Sequence, residues 1–121
     1  MPFAYVMQNL QNGQAAKRPS WRGGYVRKDG IKTGDEVTGY KYTFVTAEGD
    51  QYVYTYTIAT GAMVYTGKIA HGSDGALGTG TPDPSSKMEF DPVLFAGMLS
   101  DDWFSGSAET FEAARTGDGL W

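Results

Sequence analysis

The chain has no cysteine, so it can hold neither a disulfide framework nor a thiolate nucleophile. Its one histidine, His71, lies in a segment rich in glycine, serine and aspartate. That excludes a zinc centre built from histidine and cysteine. A Ser-His-Asp triad would have to hang its base from a loop. The lack of cysteine fits a reducing cytoplasm. No apolar run approaches the length of a bilayer span, so no membrane partner is expected. The opening residues, Met1 to Tyr5, carry neither a basic leader nor a long apolar core, so no signal peptide is expected. Positive charge is in deficit: 10 Lys and Arg against 14 Asp and Glu leave a net charge of −4. Bulk attraction to DNA or RNA is not expected of such a chain. A small anion needs only a local positive potential.

What is present points to turns and strands. Glycine stands at 17 of 121 residues and tyrosine at 8. Length and 40% apolar content suit one domain over 1–121 with its own core. Phe3, Val6, Met7 and Leu10 fall at helical spacing, and Asn12-Gly13 supplies a left-handed stop, which predicts a short N-terminal helix. Tyr25 to Lys28 reads as a strand, with Tyr25 and Arg27 on one face and Val26 and Lys28 on the other. Asp29-Gly30 is a turn signal. Thr38–Val45 and Gln51–Ile58 are β-branched and aromatic runs joined by a hairpin loop at Thr46–Asp50, with Gly49 suited to positive φ. Tyr40, Tyr42 and Phe44 share a face, as do Tyr52, Tyr54 and Tyr56, while Thr43, Thr55 and Thr57 mark the other. Met63 to Lys68 gives a further strand. The expected class is α+β: a small antiparallel meander packed on the short N-terminal helix, with a second short helix near the C-terminus.

The residues 71–87 have almost nothing to bury and read as a long flexible loop. Its glycines lack the strand–glycine–helix context of a P-loop. Asp91-Pro92 then opens a short helix to Leu99, with Asp91 as N-cap and Pro92 at the first helical position. The remainder, about 105–121, is an extension in which Ser107 can cap a final amphipathic turn or two anchored by Phe111.

Chemistry concentrates in Lys17-Arg18-Pro19-Ser20-Trp21-Arg22-Gly23-Gly24-Tyr25-Val26-Arg27-Lys28, which holds five cations, two aromatics and a glycine pair. In one reading Trp21 anchors the core, the glycines turn the chain and the cations are solvated. In the other, Trp21 or Tyr25 stacks on a flat ring while Arg18, Arg22 and Arg27 hold phosphate or carboxylate oxygens. Asp101 and Asp102 are adjacent, so on an extended strand they point to opposite faces and do not make a two-carboxylate hydrolase site. One of them can accept hydrogen bonds from arginine or a ligand hydroxyl. No nucleophile–base pair and no metal cluster stands out, and no cofactor is implied.

The order of Phe3 to Asn12, then Lys17-Arg18-Pro19-Ser20-Trp21-Arg22-Gly23, then Met98-Leu99-Ser100-Asp101-Asp102-Trp103 resembles the second of the Thoeris anti-defence families, phage proteins long catalogued as a domain of unknown function. Arg22 stands where that family commonly has asparagine, Gly97 where it commonly has an acidic residue, and the stretch from about Ile69 to Lys87 and the tail after Phe104 are longer than in compact members. The resemblance implies a non-enzymatic sponge in the cytoplasm of an infected bacterial host. Such a protein binds glycocyclic ADP-ribose or cyclic dinucleotides and blocks Thoeris or CBASS-type immunity. It also implies a homotetramer with pockets between subunits. Carried onto this chain, it implies a ligand site of Arg18, Ser20, Trp21, Arg22, Gly23, Tyr25, Arg27, Ser100, Asp101 and Asp102. The additional Arg22 would favour a more highly charged ligand. The alternatives are an inhibitor that docks on a protein through its tyrosine-rich sheet and a metal-independent cyclic-nucleotide hydrolase.

Overall fold

The computed structural model describes residues 8–19, 21, 23–78 and 102–117. The expected helix over 91–99 and most of the expected N-terminal helix lie outside them. Within them, six strands form one antiparallel sheet: β1 Gln14–Lys17, β2 Tyr25–Thr33, β3 Glu36–Val45, β4 Gln51–Thr57, β5 Ala62–Ile69 and β6 Phe104–Ser107. One helix, α1 Ala108–Thr116, follows β6 directly. The strand order is β5-β4-β3-β2-β1-β6, a meander whose first strand takes up the late strand β6 on its free edge. The architecture is small α+β, as the strand patterning indicates.

Period-two patterning explains the long strands. Tyr42, Phe44, Tyr52 and Tyr54 pair across β3 and β4 and bury their rings on one face. Cross-strand pairs of this kind each stabilise a sheet by roughly 0.2–1 kcal/mol. Trp21, Trp103 and Leu10 complete that aromatic core. The opposite face carries a smaller core, in which Ala15, Tyr25 and Val45 meet Ala108 and Phe111 of α1. Gln8 and Asn9 are the last helical residues before the Asn12-Gly13 turn, where Gly13 adopts φ +81°. Gly49 takes the expected positive φ, +96°, in the loop between β3 and β4. Gly39 serves another purpose: a Cβ there would collide with the carbonyl of Tyr56 on β4.

Three boundaries differ from the sequence reading. Asp29-Gly30 is not a turn, because β2 runs on to Thr33 and reverses at Gly34-Asp35. Asp29 is held by Arg27 at 2.9 Å, and the Gly30 N–H donates to Asn12 Oδ1 at 2.6 Å, so both turn-type residues find partners along an extended chain. Lys17, the first residue of the basic stretch, closes β1, a four-residue strand that the sequence reading did not place. That strand is invisible by alternation because Ala15 and Ala16 bury on opposite faces. The third strand of the predicted meander runs over Ala62–Ile69, one residue longer at each end. Ser107 caps α1 as expected, its Oγ accepting from the Thr110 N–H at 3.1 Å. Beyond β5, Gly78 returns to form an antiparallel bridge with Lys68.

Candidate ligand-binding groove

The basic stretch from Lys17 to Lys28 is divided by the sheet it enters. Its first part turns at Arg18 to Trp21, where the Trp21 N–H donates to the Arg18 carbonyl at 3.0 Å. Trp21 is fully buried. Its ring meets that of Trp103 edge-on at 4.8 Å and lies 6.2 Å from that of Phe44. It therefore serves as a core anchor rather than an open stacking platform. Beside this pair, Arg18 Nε donates to Asp102 Oδ1 at 2.9 Å. Residues 18–21 and 102–103, far apart in sequence, thus meet twice, through an indole pair and an ion pair, and this contact seats β6 against β1. Gly23 is buried with φ +79°. Ser20, Arg22, Ser100 and Asp101 lie outside the described residues.

From Tyr25 onward the strand alternates, so Val26 and Lys28 face the aromatic core while Tyr25, Arg27 and Asp29 face the other way. On that second face β2 pairs with β3 in the register Tyr25↔Val45, Arg27↔Thr43 and Asp29↔Lys41. Helix α1 lies along one side and presents Glu109, Glu112 and Arg115 at a helical spacing of three. Together these residues line an open groove of about 640 Å³, with Gln51 and the Gly49 turn at its end. That size lies within the range of small-molecule sites, about 300–1,000 Å³.

Charge in the groove is organised in pairs. Arg27 Nε contacts Asp29 Oδ2 at 2.9 Å. Arg115 Nε contacts both oxygens of Glu112 at 3.1 Å, and its Nη1 donates to the Ala47 carbonyl at 3.2 Å. Tyr25 donates its hydroxyl to Glu112. The hydrogen bond from Arg115 holds the Glu112 carboxyl below the usual carboxylate value, against its partial burial. Burial first, then the bond to Glu112, pushes the Tyr25 phenol well above its usual value. The paired carboxylates raise both guanidinium groups further, so Arg27 and Arg115 stay charged. Lys41 is exposed and makes no ion pair among the described residues.

Such a lining offers three cations to an anion and three carboxylates to hydroxyl or amine donors. Of the residues expected at the site, Tyr25 and Arg27 belong to this groove. Arg18, Trp21 and Asp102 are brought together elsewhere, at the β1–β6 end. Reading the sequence did not identify Lys41, Glu109, Glu112 and Arg115 as site residues. Two signals were available: the Thr43 face of β3, which carries Lys41, and the stripe of Glu109, Glu112 and Arg115 on a capped helix. Among the described residues no group of three or more His, Cys, Asp or Glu side chains is placed to hold a metal ion.

No protein-family model, curated protein or solved structure matches this chain.

Proposed function

We propose that this protein is a sponge: it binds an anionic, nucleotide-derived signalling molecule and holds it intact. The observation that carries this reading is the groove in which Arg27, Lys41 and Arg115 converge with the Tyr25 hydroxyl and the Glu112 carboxylate. Phosphates suit the cations, ribose hydroxyls suit the carboxylates, and the volume suits a nucleotide-sized molecule. The resemblance to the second Thoeris anti-defence family supplies the biological setting. It suggests a phage protein acting in the cytoplasm of an infected bacterium on glycocyclic ADP-ribose or cyclic dinucleotides, with homotetramers as the working form.

Native mass spectrometry of the protein with a panel of cyclic nucleotides tests ligand class and assembly together. The expected result is a stoichiometric complex that releases unchanged ligand on heat denaturation. Recovery of a cleaved product would replace the sponge with a hydrolase. Lys41→Ala is the first variant to make, since Lys41 supports no internal ion pair described here. One lost charge-assisted hydrogen bond is worth about 1.5–3 kcal/mol, so affinity should fall by about tenfold or more with thermal stability unchanged.

A second reading rests on a different observation. Large apolar side chains are exposed along the β5 side of the sheet, on both of its faces: Val64, Ile58 and Leu77 are 58%, 46% and 55% exposed. A protein-docking inhibitor would use this side. Val64→Lys should abolish inhibition under that reading and leave nucleotide binding untouched under the first.

A further inference from the structure

Most of the charge lining the groove is engaged by internal partners. Asp29 holds Arg27, and Glu112 holds Arg115 while also receiving the Tyr25 hydroxyl. Two charged side chains of the lining stand apart from these pairs, Lys41 on β3 and Glu109 on α1. Both are exposed, and neither makes a hydrogen bond or ion pair among the described residues.

The register places both at the same end of the groove. Ser107, the cap of α1, pairs with Gln14. The neighbouring Ala15 pairs with Arg27, so Gln14 lies level with the stretch between Arg27 and Asp29. Asp29 in turn pairs with Lys41. The first turn of α1, which carries Glu109, therefore begins beside that stretch, on the β1 side of β2, and Lys41 stands on the β3 side. From there the helix runs toward Arg115, which bonds the Ala47 carbonyl at the far end of the groove.

A ligand that satisfies both residues offers an anionic group to Lys41 and, close by, a hydrogen-bond donor to Glu109. A phosphodiester-linked ribonucleotide has these two groups side by side, because its 2′-hydroxyl neighbours the 3′-oxygen that carries the phosphate. A deoxyribonucleotide carries the same charge and lacks the donor. It would bring its phosphate near the Glu109 carboxylate with no hydrogen bond to offset the repulsion. The 2′-hydroxyl is also the group by which proteins tell the two sugars apart.

We infer that Glu109 is the specificity-determining residue of the groove: it accepts a hydrogen bond from the 2′-hydroxyl of a ribonucleotide whose adjacent phosphate lies on Lys41, and so selects ribose over deoxyribose ligands. This rests on the nucleotide reading of the groove proposed above and names the sugar that the groove takes.

Isothermal titration with 3′,5′-cyclic di-AMP and with its 2′-deoxy counterpart tests the inference. The two share charge and bases, so the ratio of their affinities isolates the hydroxyl. The parent protein should bind the ribose form about tenfold more tightly or better, as one charge-assisted hydrogen bond allows. Glu109→Ala should bring that ratio close to one. Any general gain from removing a negative charge acts on both ligands and cancels in the ratio. Lys41→Ala should weaken both ligands alike and keep the parent ratio. The ratio on the parent protein needs no variant to fold. Equal binding of the two ligands by the parent, or a ratio that persists in Glu109→Ala, would overturn the inference and leave the sponge reading standing. Binding of neither ligand would remove cyclic dinucleotides from the groove, and this inference with them.

Discussion

At the scale of single residues, Trp21 shows how one side chain is decided by its surroundings. A tryptophan in a basic, glycine-rich turn suits both a ring-stacking platform and a core. The structure surrounds it with Trp103 and Phe44 and leaves it no exposed surface. Trp21→Ala should therefore destabilise the fold by about 3–5 kcal/mol, the cost of emptying a large buried aromatic site. Urea unfolding should show the midpoint falling with an unchanged slope. A variant of wild-type stability would contradict the core assignment. Tyr25 illustrates the converse. It too is buried, yet its hydroxyl reaches Glu112 at the wall of the groove, so it joins the minor core to the candidate site.

Titration at these positions gives the protein a pH profile with two limbs. The Glu112 carboxyl is depressed in the folded state, so its contribution is present above its ordinary value of 4.5 and is lost as pH falls through the folded value below that. The Tyr25 and Tyr42 phenols are raised, so their contributions are present below the ordinary value of 10.0 and are lost as pH rises above it. Melting temperature followed by circular dichroism should be highest between those limbs. On the alkaline side, tyrosinate absorbance should rise late and together with unfolding. Full ionisation of all tyrosines near their ordinary value in a still-folded protein would refute this.

At the scale of elements, α1 matters more than its length suggests. Nine residues with one large apolar anchor, Phe111, would not form a stable helix alone. Three attachments hold it: the Ser107 cap, the Phe111 ring against Tyr25 and Phe104, and the Arg115 bond to the loop after β3. Ser107→Ala should cost about 1 kcal/mol through loss of the cap. Because α1 carries Glu109, Glu112 and Arg115 into the groove, that change should also weaken ligand binding. Isothermal titration against the parent protein would check this, and unchanged affinity would show that the groove does not depend on the start of the helix.

At the scale of the whole molecule, the sheet separates two kinds of surface. One face is nearly all aromatic, with a lysine held among tyrosine rings. The other is mixed, with paired charges under a short helix. No helix among the described residues is long and apolar enough to cross a membrane. The alternation that makes the strands also prevents the basic stretch from acting as one site: Lys28 and Arg27 are neighbours in sequence and belong to opposite faces of the sheet. The net charge of −4 surrounds a groove whose three cations are matched by three carboxylates, so it repels long polyanions and leaves the recognition of a small anion to short-range contacts.

Local patterning was enough for much of the fold. The long strands, their two faces, the Thr46–Asp50 loop and the Ser107 cap follow from period-two alternation, glycine conformational freedom and side-chain capping, all of which act within a few residues. The pairing of β1 with β6 does not, since neither Gln-Ala-Ala-Lys nor Phe-Ser-Gly-Ser carries an alternating signal and ninety positions separate their starts in the chain, from Gln14 to Phe104. The partners of the basic stretch were equally hidden. Asp102 reaches Arg18, Lys41 stands opposite Asp29, and Glu112 receives Tyr25, through contacts between residues distant in sequence. Burial and sheet register decide such contacts. Both belong to the assembled chain, and only the tertiary structure shows which charges share a groove and which are turned apart.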